Sequence, residues 1–526
     1  MAGLTVAAVA LPLALAFGVS SGADAASGLI TAIFAGIFIG VLSGASYQIS
    51  GPTGAMSAIL ISLSAKFGME GVLLAGLLSG AILILMAILK VGKLVSYIPA
   101  PVITGFTSGI AVIIALGQID NFFGTASEGE NAIEKLISYG RLGFSPNWWA
   151  VAFGMLVVIV MIVYPKKLAA YFPSSLAAII LAVGLNFILN PDADASKVAE
   201  VGAIPQTLIT KQSLIFHGVD FSNIKGLITP AFSIALLGMI ESLLCGAAAG
   251  KMKNEKLDST RELVAQGVGN MLIPLFGGVP ATAAIARTSV VIKSGGQTRI
   301  ASVVHSVTLI LSMFLLGGIM SRIPLAALAG VLMVTAFRMN EWEAIKQLFG
   351  KKLKHSCVQY IITMIATVVF DLTVAIAIGV VVAMLIFILK SSNLTIDVSD
   401  IDDEKLGYTG KPVHNGIKIV YLAGPLFFGT QDKLTNALAP LSDLKAVVFS
   451  MRGVPNIDDS AINELESIVS AYREQGTHVL FCGVQEGVYK TMDRAGFVEI
   501  VGADSFLWDA ITAIEKLDRD RAAVTA

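Results

Sequence analysis

SGPTGAMSAI at Ser50–Ile59 and GGVPATAAIARTSV at Gly277–Val290 each interrupt a long apolar region with Pro and Gly. At bilayer depth a backbone that leaves the helix must find partners for its N–H and C=O groups in protein or in a water-filled cavity. A pair of broken, short apolar segments in corresponding places of two halves is the sequence mark of a transport site near the membrane midplane. Ser50, Thr53 and Thr282 fall where the two short helices are expected to begin, as caps or as donors to a bound anion.

The rest of the chain supports a membrane reading. Its 526 residues are 55% hydrophobic and only 14% charged, with a mean hydropathy of +0.79. That is too apolar for a soluble protein and too long for one simple domain, so a polytopic membrane protein is expected. The net charge of −1 gives no reason to expect a nucleic-acid partner. Cys245, Cys357 and Cys482 are isolated, without CxxC spacing or nearby His, so they suggest neither disulfides nor zinc. The Gly-rich runs GQGVGN and SGGQTR lack the Lys-Ser/Thr of a phosphate loop. No cofactor is expected, and no enzymatic activity. The chain opens inside its first apolar segment, with no basic residue before Lys66. A signal peptide's basic start is missing, and a cytoplasmic stretch ahead of the first span is expected to have been lost.

At 17–25 apolar residues per span, full spans are expected near 2–21, 27–46, 69–90, 98–119, 148–164, 173–189, 227–249, 259–276, 300–318, 323–338, 356–370 and 372–389. The broken runs add short helices near 54–66 and 281–292. Seven segments then precede the long loop 190–226 and seven follow it, each broken helix being third in its set. An odd number of spans per repeat inverts the second copy. Loop charges agree. Lys90, Lys93, Lys166, Lys167, Lys251, Lys253, Lys256 and Lys293 fall in one set of loops, and the other set is poor in Lys and Arg despite its greater length. Basic loops face the cytoplasm, which puts both termini there, and Trp148 and Trp149 suit an anchor at the opposite interface. The location expected is the cytoplasmic (inner) membrane.

After Lys390 the composition turns polar. Short β-rich runs at KIVYLAGPLFF, LKAVVFSMRG and HVLFCGV alternate with helix-like stretches, the pattern of a small α/β domain. The expected division is a transport body over 1–390, a linker over 391–414 and a cytoplasmic α/β module over 415–526.

Ionisable residues within the spans are the functional candidates. Glu241, in LLGMIESLLCGAAAG, has Gly238 and Cys245 on its own helical face and no basic neighbour in its span. It reads as a coupling or proton-relay site, against the alternative of a carboxylate that only packs. Arg287, one and a half to two turns into the second short helix, carries a planar fork suited to carboxylate, carbonate or sulfate oxygens. The alternative is an Arg that snorkels to the interface. Two half-helices aim the positive ends of their dipoles into one space, and Arg287 gives that space the sign of an anion site. His305, Asp371 and Gln118 read as structural.

The runs GLTVAAVALPLALAFGVSSG, QISGPTGAM, YIPAPVITGFTSGIAV, IESLLCGAAAG, GQGVGN and GGVPATAAIARTSV, in this order, resemble the sulfate-permease (SulP) family of anion transporters. The C-terminal module resembles the STAS domain of that family. The resemblance implies fourteen segments in two inverted sevens, split into core and gate bundles, that move a small inorganic or carboxylate anion by elevator-type alternating access, usually as a homodimer. The first and third segments are similar to those of sodium-coupled cyanobacterial bicarbonate transporters, in which the Thr matching Thr53 contacts the anion. Their sodium site has an Asp and two Thr where this chain has Glu241, Cys245 and Ile285, and they have Gly in place of Arg287. A fixed Arg supplies the positive charge that sodium supplies there. The acid that some proton-coupled relatives carry in the first span is Leu13 here, which leaves Glu241 as the expected proton carrier. Asp458-Asp459-Ser460-Ala461 resembles the Asp-x-Ser-Gly of related STAS domains, whose Ser can be phosphorylated. Ser460 is read first as a plain N-cap, with a regulatory role and a soluble STAS partner as the alternative.

The expectation is a secondary active transporter of sulfate, bicarbonate or a C4-dicarboxylate, coupled to protons. Substrate is assigned to Thr53, Gly54, Ala284, Ile285 and Arg287, and coupling to Glu241 and Cys245. Sodium-coupled bicarbonate transport, an uncoupled anion channel or sensor acting through the STAS domain, and a nucleobase permease remain open at this level.

Overall fold

In a computed structural model the chain forms two compact units, Met1–Val381 and Val382–Ala526. The structure describes residues 1–129, 132–169, 172–217, 224–370, 372–403, 414–438 and 444–525. Asp371 lies outside them.

The first unit consists of helical membrane segments, the last of which runs on past the unit's end at Val381. In chain order they are α1 (Ala2–Ser20), α2 (Ala25–Phe34, continued to Leu42), α3 (54–67), α4 (69–88), α5 (Ala100–Gly117), α6 (Trp148–Val163), α7 (Ser174–Leu189), α8 (Ile224–Lys253), α9 (Ser259–Leu272), α10 (Ile285–Lys293), α11 (Ile300–Met320), α12 (Leu325–Met339), α13 (Lys354–Val369) and α14 (Leu372–Ser391). They occupy the fourteen positions expected from hydropathy. Gly68, at φ 69° and ψ −178°, separates α3 from α4. Glycine takes that left-handed conformation without the Cβ clash of other residues.

Small residues let the helices approach closely, as membrane interfaces require. A Cβ on Gly28 of α2 would lie 2.0 Å from the Ala14 carbonyl of α1. Gly80 of α4 and Gly267 of α9 touch each other's backbone carbonyls in the same way. Residues 35–39 of α2 form a π-helical turn. Ser302 of α11 donates its hydroxyl to the Gly36 carbonyl there at 2.9 Å. α1–α4 and α8–α11 pack together as a core bundle, and α5–α7 with α12 and α13 as a gate bundle, which α14 joins through Gly379 against Thr363 and Val102. The halves meet at a two-stranded antiparallel pair, β1 (Ser50–Gly51) with β2 (Thr282–Ala283), immediately ahead of α3 and α10.

The second unit carries the five-stranded sheet β3 (Thr395–Asp400), β4 (Ile417–Ala423), β5 (Ala446–Gly453), β6 (His478–Cys482) and β7 (Phe506–Leu507), hydrogen-bonded in that order. β3 is antiparallel to β4 and the others are parallel. One face is covered by α15 (Gln431–Leu438), α16 (Asp459–Glu474) and α17 (Glu486–Arg494), through Leu434, Leu465 and Met492. The other is covered by α18 (Ala510–Thr525), through Ala513, Ile514 and Leu517. The stretch 391–414, expected to be a linker, therefore contributes the edge strand. Its TIDVSD alternation pairs with β4 along six residues, a register the polar composition hid. Phe506 and Leu507 join the sheet as well, ahead of the last helix, which starts at Ala510.

Candidate functional site

The site begins with backbone geometry. Pro52 cannot donate and Gly51 lacks a side chain, so the chain leaves α2 extended, pairs Ser50 with Ala283 and Gly51 with Thr282, and enters α3 at Gly54. Thr53 caps that helix, its Oγ1 accepting from the Met56 amide at 3.3 Å. On the other side Ala284 donates to the Ile49 carbonyl at 2.9 Å and α10 starts at Ile285. The first amides of a helix have no intrahelical partner and carry the positive end of its dipole. Two such ends thus flank one short strand pair at the junction of the halves.

Glu241 reaches this junction from α8. Its Oε2 accepts from Thr53 at 2.9 Å and from Thr282 at 2.8 Å, one hydroxyl from each half of the repeat. The residue is partly exposed. Arg287, by contrast, is 1% exposed. Its Nη2 donates to the Pro52 carbonyl at 2.6 Å, and Nη1 has no hydrogen-bond partner among the described residues. A Cβ on Gly51 would stand 2.6 Å from that Nη1, so the guanidinium packs flat beneath the glycine backbone. Arg287 is a fixed charge under the strand pair, enclosed rather than open as a fork. In a low-dielectric setting such a charge acts strongly over short distances.

A polar stripe on α9 holds the pair in place. Asn270 donates to the Ala281 carbonyl at 2.9 Å and accepts from its amide at 2.7 Å. Gln266 Nε2 donates to Ser50 Oγ at 2.9 Å and to Glu262 Oε1 at 2.8 Å. Glu262 Oε2 accepts from Ser43 Oγ at 2.6 Å and from the Gly44 amide at 2.9 Å. All three are fully buried. On α8, Ser242 accepts from the Ala283 amide at 3.3 Å, and its carbonyl takes the Gln48 amide at 2.8 Å. None of these supports was singled out from sequence. The usable signal was Glu262, Gln266 and Asn270 at i, i+4 and i+8, one face of an otherwise apolar span.

The structure brings Thr53, Gly54, Ala284, Arg287 and Glu241 to one junction. Ile285 opens α10 with 52% of its surface exposed. Cys245 is elsewhere: it is fully buried one turn beyond Glu241, and its Sγ donates to Thr288 Oγ1 at 3.5 Å. That hydroxyl accepts from the Ile49 amide at 3.1 Å, so Cys245 supports the strand entry. Thr282 is not a helix cap. Strand pairing holds residues 282–283 extended, so α10 starts four residues later than expected and Arg287 is its third residue. Ser460 is not an N-cap either. Asp458 takes that place, accepting from the Ala461 amide at 2.9 Å, because its extended backbone sets the carboxylate over the first turn. Gln118 donates to Ser20 Oγ at 3.1 Å. His305 is buried between α11 and Gly36 of α2, with neither ring nitrogen hydrogen-bonded among the described residues.

The model of the Sulfate permease family matches residues 1–363, and that of the STAS domain matches residues 408–510. A putative sulfate transporter of Bacillus subtilis, YvdB, is 33% identical over 96% of this chain and 95% of its own length. The bicarbonate transporter BicA of a Picosynechococcus strain is 30% identical over 98% of this chain and 93% of its own. Among solved structures, the transmembrane domain of a cyanobacterial BicA superposes with a TM-score of 0.61 at 28% identity, covering 73% of this chain and 96% of that one. Murine Solute Carrier 26 family member A9 shares the fold, with a TM-score of 0.82 at 19% identity over 98% of this chain and 90% of that one. With the family matched along the membrane unit and the STAS domain after it, the chain belongs to the sulfate permease family of multi-span membrane transporters.

Proposed function

We propose that this chain is a secondary active transporter of a small oxyanion, sulfate, bicarbonate or a C4-dicarboxylate, and that the anion is loaded together with a proton. The anion would sit at the amides that open α3 and α10, beside Thr53, Gly54, Ala284 and Ile285, over the buried charge of Arg287. The observation that carries the reading is the Glu241 carboxylate, tied by one hydroxyl from each repeat to the strand pair between those helix starts. An ionised carboxylate there repels an anionic cargo, and a protonated one does not. Proton and anion therefore strengthen each other's binding, and the linkage is reciprocal, worth about 1–3 kcal/mol in systems of this kind. The names of the relatives, a sulfate and a bicarbonate transporter, suggest the substrate range. The membrane unit over 1–390 would carry the transport, with a homodimer in the cytoplasmic membrane, both termini inside, and elevator-type motion of the core bundle against the gate.

Proteoliposome uptake of labelled sulfate, bicarbonate and succinate, each with and without inward proton and sodium gradients, tests this. Accumulation of at least one anion driven by the proton gradient is expected. Glu241→Gln should abolish that accumulation while leaving counterflow of the same anion. Accumulation driven by sodium alone would reject proton coupling in favour of the bicarbonate reading, and equilibration without accumulation would indicate a channel.

A further inference from the structure

The membrane unit contains a cavity of about 490 Å³ bounded by α3, α5, α8 and the end of α13. Its deepest polar residues are Ser20 and Ser57, and its lining extends along α3 through Ser62 to Lys66. Nine residues of helix separate Ser57 from Lys66, about 14 Å at 1.5 Å per residue. Ser57 donates to the carbonyl of Thr53 at 3.0 Å, so the floor lies one turn from the start of α3. Lys135, from the helix Ala132–Leu142 between α5 and α6, lines the same cavity. Between floor and mouth the walls are largely apolar, with Ile59, Phe67, Ile113 and Val369 among them. Among the described residues no carboxylate lines it and neither lysine makes an ion pair. Lys66 stands over the Phe67 ring at 5.6 Å and is otherwise exposed.

A cleft lined by one sign of charge with low-dielectric walls focuses the field and raises the local concentration of counter-ions. Lys66 closes the helix that Thr53 opens, so the two ends of α3 mark the two ends of one route. We propose that Lys66 and Lys135 form an outer collecting site for a small oxyanion, which is held at the mouth and passed along α3 toward Thr53. This rests on the anion-transport reading and on the basic loops lying at the opposite, cytoplasmic side. Neither lysine is at the strand-pair junction. Their role is capture from one side of the membrane, a matter of KM rather than of the turnover step.

The test is initial-rate uptake of labelled sulfate, and in parallel bicarbonate, in vesicles of known orientation, with ionic strength set by a bulky sulfonate salt. At about 0.01 M, where the Debye length is about 30 Å, Lys66→Gln with Lys135→Gln should raise KM from the outer side roughly tenfold with kcat unchanged. At about 0.15 M, where that length is about 8 Å, most of the difference should vanish. Lys66→Arg with Lys135→Arg should restore the wild-type KM, and efflux from the cytoplasmic side should keep its KM throughout. An unchanged outer KM at low ionic strength in a transporting protein overturns the proposal and leaves the Arg287 and Glu241 site standing. A loss of kcat independent of salt overturns it too, since that marks a folding or packing role. A wild-type protein that moves no small oxyanion removes the transport reading, and this inference with it.

Discussion

In the proposed site, Arg287 would set the sign through burial. A guanidinium enclosed this fully keeps its charge where water cannot screen it, held by one bond to the Pro52 carbonyl. Arg287→Met removes the charge and leaves that carbonyl without its donor. Uptake of whichever small anion the wild type carries should fall at least tenfold, with a melting cost of about 1–3 kcal/mol for the orphaned group. Arg287→Lys keeps the charge on a flexible stem without the planar fork, so it should transport at an intermediate rate. Equal uptake in the Met variant and the wild type would remove Arg287 from the site. Sequence alone singled out this residue and Glu241 because charges within spans are rare. It gave no sign that Thr282 would bond Glu241, since that contact joins α8 to a strand that α10 had been expected to absorb.

At the scale of elements, the strand pair is the part that hydropathy could not reveal. Two residues per strand leave no alternation to read, and the pairing joins distant parts of the chain. The fourteen segments, by contrast, were legible because apolar length and Gly/Pro breaks are local properties. The α9 stripe makes the strand pair possible, and Asn270 bears the most, serving both backbone groups of Ala281. Asn270→Leu leaves a buried N–H and a buried C=O without that partner. The expected loss is about 2–6 kcal/mol, summed from about 1–3 per orphaned group. Thermal melting of the purified protein should show it, together with a fall in binding of the transported anion larger than Ser43→Ala produces at the far end of the stripe. A binding-neutral Asn270→Leu would mean that β2 holds its place by pairing alone.

Across the whole molecule, each unit has its own core, and a pH-sensitive contact lies in the second. His414 is buried between Asp403 and Asp518; Nδ1 faces Asp403, and Nε2 lies 3.2 Å from both oxygens of Asp518. Burial disfavours the imidazolium, but the two carboxylates outweigh it and hold the histidine above its usual range. A raised value means that the stabilisation is complete below the ordinary histidine range and fades as pH climbs through the raised value. The protection of the α18 amides against hydrogen exchange, relative to their intrinsic rates and measured within the full chain, should therefore fall as pH climbs above the ordinary histidine range. His414→Asn should flatten that dependence, and a wild-type chain with no such change would leave the triad without a role in stability. The sequence disclosed the α/β character of this unit through its alternating runs. The His414 contact stayed hidden because its partners lie at opposite ends of the unit.

The strand pair also dictates an order of events during synthesis. Ser50 and Gly51 leave the ribosome long before Thr282 and Ala283 exist, so β1 must enter the bilayer with its backbone unpaired. Neither half of the repeat can finish its own site. Until the second half arrives, the nascent chain carries an open polar wound, one that translocation machinery or a chaperone must shield, and the transporter matures only after most of its membrane domain has been made.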